Sequence, residues 1–513
     1  MSITPKLATL VGLQKALRSF KFFTVLAGGS FKYFWYSNIK FAINGMELRP
    51  RDWHWVGEGN LHVVCRYRPL DGKVDPQFYG KVLRLTKEED YNSARRVQVL
   101  SKELAANALN PFFGWDAVIV AELIPLPSGF LSELAELLFH SRPLCRRNRA
   151  LNLDACFGEL MHDATKPFRL VGCDCDQEKD DPAVSIELKV KCGLKSASPF
   201  VPSSRNIKRH NSRYQIMQLF KKLAKNPHSE DECIKSVSAY DPCDLCSGES
   251  ERIRSAIVAL LSNPNPQNNL QLIFNDDDIN SRPKHGPLFS PEVIADALSE
   301  ILASHREPIL GRLQELQSFD MLDVEGAACV FDRLKTLLGS TEAAEEAIIA
   351  AFCNFDLKIL QSMEHALAKV EAVPQSPEEF ELLRRAALLN SKHRSCNDEE
   401  LNVHAQQFAL SLTAQDAVIL LQLWLLALAA KDASLIISLS IVNDTSPILN
   451  CLPVKGTGYV KRETRDGSGV IIAYSLALVD FGLKSPRKCW TLEEKEREVM
   501  KVIGTPQFCD RHT

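Results

Sequence analysis

The chain has 513 residues, of which 45% are hydrophobic and 24% charged, a composition typical of a globular protein and not of a disordered, fibrous or disulfide-dense chain. The 61 Lys and Arg residues against 64 Asp and Glu residues give a net charge of -3, so no overall positive field attracts nucleic acid or a membrane. The 15 cysteines, an odd number spread over a long chain, favour reduced thiols in the cytoplasm or nucleus.

Residues 1–46 form a basic, aromatic-rich lead that contains no Asp or Glu. Such a composition is typical of an organelle transit peptide. The alternative, which we favour, is that Met46 is the true start and that the residues before it are a weakly structured or wrongly assigned extension. Recognisable strand and helix patterns begin only after Met46.

The segment from Trp53 to Leu85 predicts three strands. The first two flank a glycine turn, and the third carries Arg84. Glycine allows the backbone to approach phosphates closely, and a strand places a fixed cation beside them. The pattern therefore predicts a nucleotide-covering turn formed by Gly57, Glu58, Gly59 and Asn60.

The most informative region lies between Ile186 and Lys225. Alternation predicts a strand with Ile186, Leu188 and Val190 on its core face and charged residues on the other face. From Lys189 to Lys225 there are ten basic residues and no acidic one. A helix is predicted over 212–223. Because few aromatic residues interleave with these cations, the run favours a compact polyanion over nucleic acid. The basic residues used below are Lys189, Lys191, Arg213 and Lys221.

Two carboxylates follow buried elements near the C-terminus. The apolar run 417–430 is about five residues short of a membrane crossing and predicts a core helix, which leads to Asp432. Strands are predicted over 435–442 and 470–479, the second ending at Asp480. Phosphoryl transfer needs one carboxylate near the attacking hydroxyl and another on Mg²⁺. Each Asp alone is equally consistent with a turn residue.

Several strings, in order over 53–488, together resemble the inositol-pentakisphosphate 2-kinase family. The most specific string is Glu187-Leu188-Lys189-Val190-Lys191-Cys192-Gly193. The others are Gly57–Asn60, Lys81–Arg84, Arg142–Arg146, Tyr240–Pro242 with Asp244-Leu245, Pro266–Asn269, Leu322–Gly326, Ala430–Ser434 and Asp480–Lys484.

The resemblance implies ATP-dependent phosphorylation of the 2-hydroxyl of inositol 1,3,4,5,6-pentakisphosphate to inositol hexakisphosphate (phytic acid). It implies an α+β, two-lobed inositol-phosphate-kinase fold distantly similar to protein kinases. Residues 47–165 would form the nucleotide-covering lobe. Residues 166–513 would form the second lobe, with the inositol-phosphate site and a helical insertion at about 340–420.

The resemblance also implies roles for particular residues. Asp432 would activate the 2-hydroxyl, Asp480 would bind Mg²⁺, and Lys189 would also serve catalysis. The nucleotide would be contacted by the glycine turn with Arg84, Glu187 and Asp163. The inositol phosphate would be held by Arg146, Lys189, Lys191, Arg213, Lys221, Asn268, Lys484 and Lys488.

Some positions depart from the family pattern. Met217 stands where a histidine is usual, and Lys488 and Leu492 replace an expected Arg and Tyr. The zinc site of plant members has no clear counterpart, because Cys243 and Cys246 lie elsewhere and lack a second ligand pair. A substitute set of Cys329, His393, Cys396 and His404 is only weakly indicated, so we expect no zinc.

Two other functions were weighed. A protein kinase is disfavoured because no His-Arg-Asp motif precedes Asp480-Phe481-Gly482. A non-catalytic inositol-phosphate sensor or scaffold is the stronger alternative, although a pure binder has no need of carboxylates beside a polyanion. We expect a monomer that acts on a small molecule, with no nucleic acid partner and no membrane span.

Overall fold

A computed structural model describes part of the chain, in fourteen stretches. The predicted extension over residues 1–46 lies outside this part, as do Asn60, Asn268, His393 and Cys396. The described residues are 48–59, 61–87, 100–165, 183–224, 238–262, 269–274, 290–304, 308–353, 366, 368–370, 403–442, 449, 456–463 and 469–503.

The first half of the described chain forms a five-stranded antiparallel sheet in the order β1-β2-β3-β5-β4. Large apolar residues such as Trp53, Phe78 and Leu160 fill its core against helix α1 (Phe130–Leu138). The predicted hairpin and third strand are present. The strands are β1 (Trp53–Glu58), β2 (His62–Tyr67), β3 (Lys81–Thr86), β4 (Glu122–Pro125) and β5 (Phe157–His162).

A second five-stranded antiparallel sheet has the order β7-β6-β8-β10-β9. The predicted alternation in its central region is confirmed, because Ile186, Leu188 and Val190 are fully buried. The strands are β6 (Ala183–Lys189), β7 (Leu270–Phe274), β8 (Ser434–Val442), β9 (Thr457–Glu463) and β10 (Gly469–Val479).

Register aligns the ends of three strands in the second sheet. Lys189 at the end of β6 lies opposite Ser434 at the start of β8, and Ser434 lies opposite Val479 at the end of β10. The chain therefore enters or leaves the second sheet three times at the same end of its strands, which we call the aligned edge. Residues 190–193, 430–433 and 480–484 meet there although they are far apart in sequence.

Helices cover the second sheet. Residues 100–113 are helical, with a π-helical turn at Ala105–Leu109. Capping boxes begin two of the longer helices, with Ser212 before α2 and Thr413 before α9. The longer helices are α2 (Arg213–Leu223), α3 (Ser250–Ser262), α4 (Pro291–Ala303), α5 (Ile309–Gln317), α6 (Asp323–Leu338), α7 (Thr341–Cys353), α8 (Val403–Ser411), α9 (Ala414–Asp432) and α10 (Lys488–Ile503).

Helix α9 is the predicted apolar core helix. In the part of the chain that the structure describes, it alone is long and apolar enough to cross a membrane by length and composition. It packs against α5, α6 and α7, and 72% of its most apolar window is buried inside the protein. A core helix passes the same test of length and composition, and the burial of Trp424 agrees with that reading.

Residues 163–165, at the start of the connection between the two sheets, directly follow β5 and contact the second sheet. The Ser185 hydroxyl donates to the Thr165 carbonyl at 2.8 Å, and the Ser438 hydroxyl donates to the Ala164 carbonyl at 3.0 Å. The connection is therefore bonded to both central strands of the second sheet. The observed class, helices with antiparallel sheets, is the predicted α+β class.

Candidate functional site

A group of lysines surrounds Asp432 at the aligned edge of the second sheet. Burial lowers the pKa of Lys191, and the positive charges of Lys189, Lys221 and Lys484 lower it further, whereas Asp432 raises it. These interactions place Lys189, Lys221, Lys484 and Asp432 in the neighbourhood of Lys191. The structure thus brings together four of the predicted substrate cations, which we call the lysine cluster: Lys189, Lys191, Lys221 and Lys484.

The packing of α9 fixes the position of Asp432. It is the last residue of that helix, and its carboxylate lies 3.1 Å from the Lys484 ammonium. The Asp432 side chain is 47% exposed, so a solute can reach it. An accessible carboxylate among cations can accept a proton from a hydroxyl that those cations hold nearby.

Arg84 projects from β3 of the first sheet toward the second. Its guanidinium is bonded to Glu159 on the neighbouring strand and lies 3.3 Å from Asp480. Burial lowers the pKa of Arg84, but the charges of Glu159 and Asp480 outweigh it and the pKa is raised. The predicted nucleotide cation therefore faces the predicted metal ligand directly.

Asp480 occupies a left-handed backbone conformation with φ of 60°, just after β10. A non-glycine residue adopts this conformation rarely, and such residues cluster at functional sites. The side chain is 56% exposed. The left-handed residue ends the strand and leaves the carboxylate accessible beside Arg84.

Glu187 provides a second carboxylate near Asp480. Burial raises the pKa of Glu187, Lys189 lowers it and the charge of Asp480 raises it. Two neighbouring carboxylates that repel each other form an oxygen donor set suited to Mg²⁺, which usually takes one or two carboxylates plus substrate phosphates. The residues present therefore fit a magnesium ion.

The glycine turn is open on the side of its two glycines. A Cβ atom placed at Gly57 or Gly59 would meet no atom of the described residues within 4 Å. The Glu58 side chain is instead buried and bonded to Lys87 and Arg142, with 2.9 Å to the latter. The Glu58 carboxylate therefore fixes the shape of the turn, and the exposed backbone of Gly57 and Gly59 is what a nucleotide could approach.

The other predicted residues lie in different surroundings. Asp163 is buried in the connection between the sheets and accepts hydrogen bonds from Arg66 at 2.6 Å and from the Thr165 hydroxyl at 2.6 Å. Arg213 is paired with Glu496 of α10. Arg146 is in an exposed 3₁₀ turn (Leu144–Arg146), and Lys488 is exposed at the start of α10.

His62 on β2 was missed by the sequence reading. Burial and the charges of Arg84, Lys484 and Lys87 lower its pKa to about 3, so it is neutral at physiological pH. These partners place it between the first-sheet cations and the lysine cluster. No motif distinguishes this histidine, and only its register opposite Thr86 on β3 reveals its position.

No group of three or more His, Cys, Asp or Glu residues close enough to hold a metal occurs among the described residues. Cys243 is half-buried, and Cys246 and Cys329 are buried. Two of the four residues weighed as zinc ligands, His393 and Cys396, lie outside the described part of the chain. Whether Cys329, His393, Cys396 and His404 form a zinc site therefore stays a prediction.

A glycine turn with an open backbone, a lysine cluster and two accessible carboxylates are the features expected of a phosphotransferase that acts on a small polyanion. A family profile described as inositol-pentakisphosphate 2-kinase matches residues 55–498. The chain belongs to the inositol-pentakisphosphate 2-kinase family, and the resemblance seen in the sequence is confirmed.

Individual relatives agree with the profile. The inositol-pentakisphosphate 2-kinase of Arabidopsis thaliana is 29% identical over 330 residues, covering 54% of this chain and 68% of that protein. The protein of the same name from Cryptococcus neoformans is 25% identical over 313 residues, 56% of this chain and 67% of that protein. The one from Danio rerio is 27% identical over 258 residues, 46% of this chain and 47% of that protein.

Proposed function

We propose that this enzyme transfers the γ-phosphoryl group of ATP to the 2-hydroxyl of inositol 1,3,4,5,6-pentakisphosphate, producing ADP and inositol hexakisphosphate. The observation that carries the proposal is the convergence of the lysine cluster on Asp432. A substrate with five phosphates needs several fixed cations, and Lys side chains meet this need as point charges.

Asp432 acts as the proton acceptor in this proposal. The bond from the 2-hydroxyl oxygen to the γ-phosphorus forms as the bond to the bridging oxygen of ADP breaks, and the hydroxyl proton moves to Asp432. The exposure of Asp432 and its 3.1 Å contact with Lys484 support this role. Lys189, at the same strand edge as Asp480, stabilises the charge on the transferring group.

The nucleotide lies between the two sheets in this proposal. The open backbone of Gly57 and Gly59 covers its phosphates, and Arg84 contacts them. Asp480 and Glu187 would hold Mg²⁺. A magnesium ion would neutralise the phosphate oxygens and align the leaving group.

The finer fold proposal follows from this arrangement. The first sheet and α1 form the nucleotide-covering lobe of a protein-kinase-like enzyme, and the second sheet with its helices forms the substrate lobe. Residues about 340–420 are a helical insertion in the second lobe. Two separate sheets that meet at residues 164 and 165, which are bonded to Ser185 and Ser438, support the two-lobed arrangement.

Release of ADP with inositol 1,3,4,5,6-pentakisphosphate tests the function directly. The wild-type chain with Mg²⁺ should release ADP and form inositol hexakisphosphate in equal amounts. The Asp432→Asn variant should bind the inositol phosphate with little loss and release ADP at least about a hundredfold more slowly, as expected for loss of a general base. A wild-type protein that binds the substrate yet never releases ADP would instead be a sensor.

A further inference from the structure

Gln317 joins the two segments that carry the lysine cluster and Asp432. It is the last residue of α5 and is only 1% exposed. Its amide nitrogen donates to the carbonyls of Lys191 at 2.8 Å and Ala430 at 3.2 Å, and its amide oxygen accepts from the Gly193 amide at 2.8 Å. One side chain thus bonds the backbone on both sides of Cys192 and the last turn of α9.

Each bond is made to a backbone group that needs external support. Lys191 has φ of 65°, a conformation that costs a non-glycine residue free energy and persists only when its surroundings hold it. The Ala430 carbonyl lies in the last turn of a helix, where carbonyls lack intrahelical partners. Without Gln317, the Lys191 and Ala430 carbonyls would both lose this hydrogen-bond donor, a loss that is costly for buried backbone groups.

Residues just after Gln317 support the same segment. The Asp320 carboxylate is bonded to the ammonium of Lys431, the residue before Asp432, and accepts from the Asp323 amide at 2.7 Å. Gln314 on α5 adds a bond from its side-chain amide to the Gly193 carbonyl at 2.8 Å. The end of α5 therefore holds the segment that carries Lys191 and the segment that carries Asp432 at a fixed separation.

We propose that Gln317 is a positioning residue for phosphoryl transfer, which sets the distance between the Lys191 ammonium and the Asp432 carboxylate. The inference rests on the proposed function, in which Lys191 holds the inositol phosphate and Asp432 takes the hydroxyl proton. Misplacement by about 1 Å costs on the order of a hundredfold in rate, so a residue that touches no substrate can control turnover.

Replacement of Gln317 by leucine removes the amide with little change in volume. We expect kcat for inositol pentakisphosphate to fall by about 10- to 100-fold. The KM for this substrate should rise severalfold, whereas the KM for ATP should stay within about twofold because Arg84 and the glycine turn are held by the first sheet. A purely structural role would change both KM values together or neither.

Gln422 provides a matched control. It is also 1% exposed, lies on α9, and its side-chain amide makes no hydrogen bond with the described residues. The Gln422→Leu variant should keep wild-type turnover. Equal kcat and KM values for folded Gln317→Leu and Gln422→Leu would overturn the inference, whereas a wild-type chain without ADP release would overturn the proposed function.

Gln317→Glu keeps the test decisive if the leucine variant does not fold. The introduced carboxylate can still accept from the Gly193 amide, but it cannot donate to Lys191 or Ala430 until it is protonated. Burial favours the protonated form. Its turnover relative to wild type should therefore rise as the pH falls from about 8 to 6, and a constant ratio would argue against positioning through these carbonyls.

Discussion

Arg84 and Asp480 face each other across the two sheets, with 3.3 Å between a guanidinium nitrogen and a carboxylate oxygen and 396 positions between them in the chain. Glu159 holds the other side of the guanidinium, so the first sheet fixes the direction of the cation. The contact brings the proposed nucleotide-binding cation and the proposed metal-binding carboxylate to the same place. It also links the two sheets before any ligand binds.

Replacing Asp480 by asparagine should abolish turnover that depends on Mg²⁺, because the amide is a poor ligand and cannot neutralise Arg84. Inositol phosphate should still bind, since the lysine cluster is unchanged. ADP release across a Mg²⁺ titration and calorimetry with inositol hexakisphosphate measure the two effects. Asp154→Asn, at an exposed loop position, is the control. Near-normal turnover of Asp480→Asn would refute the metal role.

Replacing Lys189 or Lys191 by alanine should weaken inositol phosphate binding. Each substitution should cost about 1–3 kcal/mol, the value of a charge-assisted hydrogen bond. Calorimetry measures the affinity. Lys461→Ala, an exposed lysine on the edge strand β9 of the same sheet, should bind as wild type does. Unchanged affinity in the Lys189 and Lys191 variants would exclude both lysines from the substrate site.

Replacing Lys208 by methionine should destabilise the fold by about 3–5 kcal/mol, because it removes a buried cation shared by several carboxylates, although Glu325 keeps its bond to Arg205. The Lys208 ammonium lies 2.9 Å from both Asp323 and Glu325. Burial lowers its pKa, but Asp323, Glu325 and Glu496 outweigh it and the pKa is raised, so this stabilisation is present at neutral pH and lost only at alkaline pH.

Urea unfolding at pH 7 measures that loss. Lys501→Met, at an exposed position on α10, keeps the same change of side chain without the buried partners. Equal unfolding free energies for Lys208→Met and Lys501→Met would contradict the expected role of the buried charge network.

We expect His62 to make the stability of the protein sensitive to acid. Its pKa is lowered from 6.5 to about 3 by burial and by Arg84, Lys484 and Lys87, so between these values the unfolded chain binds a proton that the folded chain does not. The His62 contribution is thus complete above pH 6.5. It is lost toward pH 3 at up to about 1.4 kcal/mol per pH unit.

The His62→Gln variant should therefore lose less unfolding free energy than wild type between pH 6.5 and 4.5. Chemical denaturation at several pH values measures the difference. The His54→Gln variant provides the comparison, because His54 lies on β1, the strand next to β2. Parallel pH profiles for wild type and His62→Gln would show that His62 does not carry this dependence.

Much of the second sheet followed from pattern alone. The sequence patterns predicted four elements to within three residues at each end. Strand β6 followed from the alternation at 186–190, strands β8 and β10 from aliphatic runs that end at residues 442 and 479, and helix α9 from the apolar run before Asp432. These elements are buried, so the pattern of their apolar side chains indicates directly which residues face the core. The one-sign basic run likewise predicted three members of the lysine cluster, Lys189, Lys191 and Lys221, but not Lys484.

Other features depend on contacts that no local pattern encodes. Gln317 acts on backbone groups of distant segments, and a buried glutamine at a helix end has no distinctive sequence. The Glu58 side chain lies in a glycine turn, yet its partners Lys87 and Arg142 draw it into the first sheet. Such assignments require the tertiary structure because charge pairing, not chain proximity, decides them.

The alignment of Lys189, Ser434 and Val479 across three strands has a kinetic consequence. The pairing of Lys189 with Ser434 closes a loop of more than two hundred residues. Long-range pairing of this kind slows folding because loop entropy is lost before contacts form. During refolding, secondary structure should recover well before ADP release does. Catalysis would then report the completion of the last strand pairing.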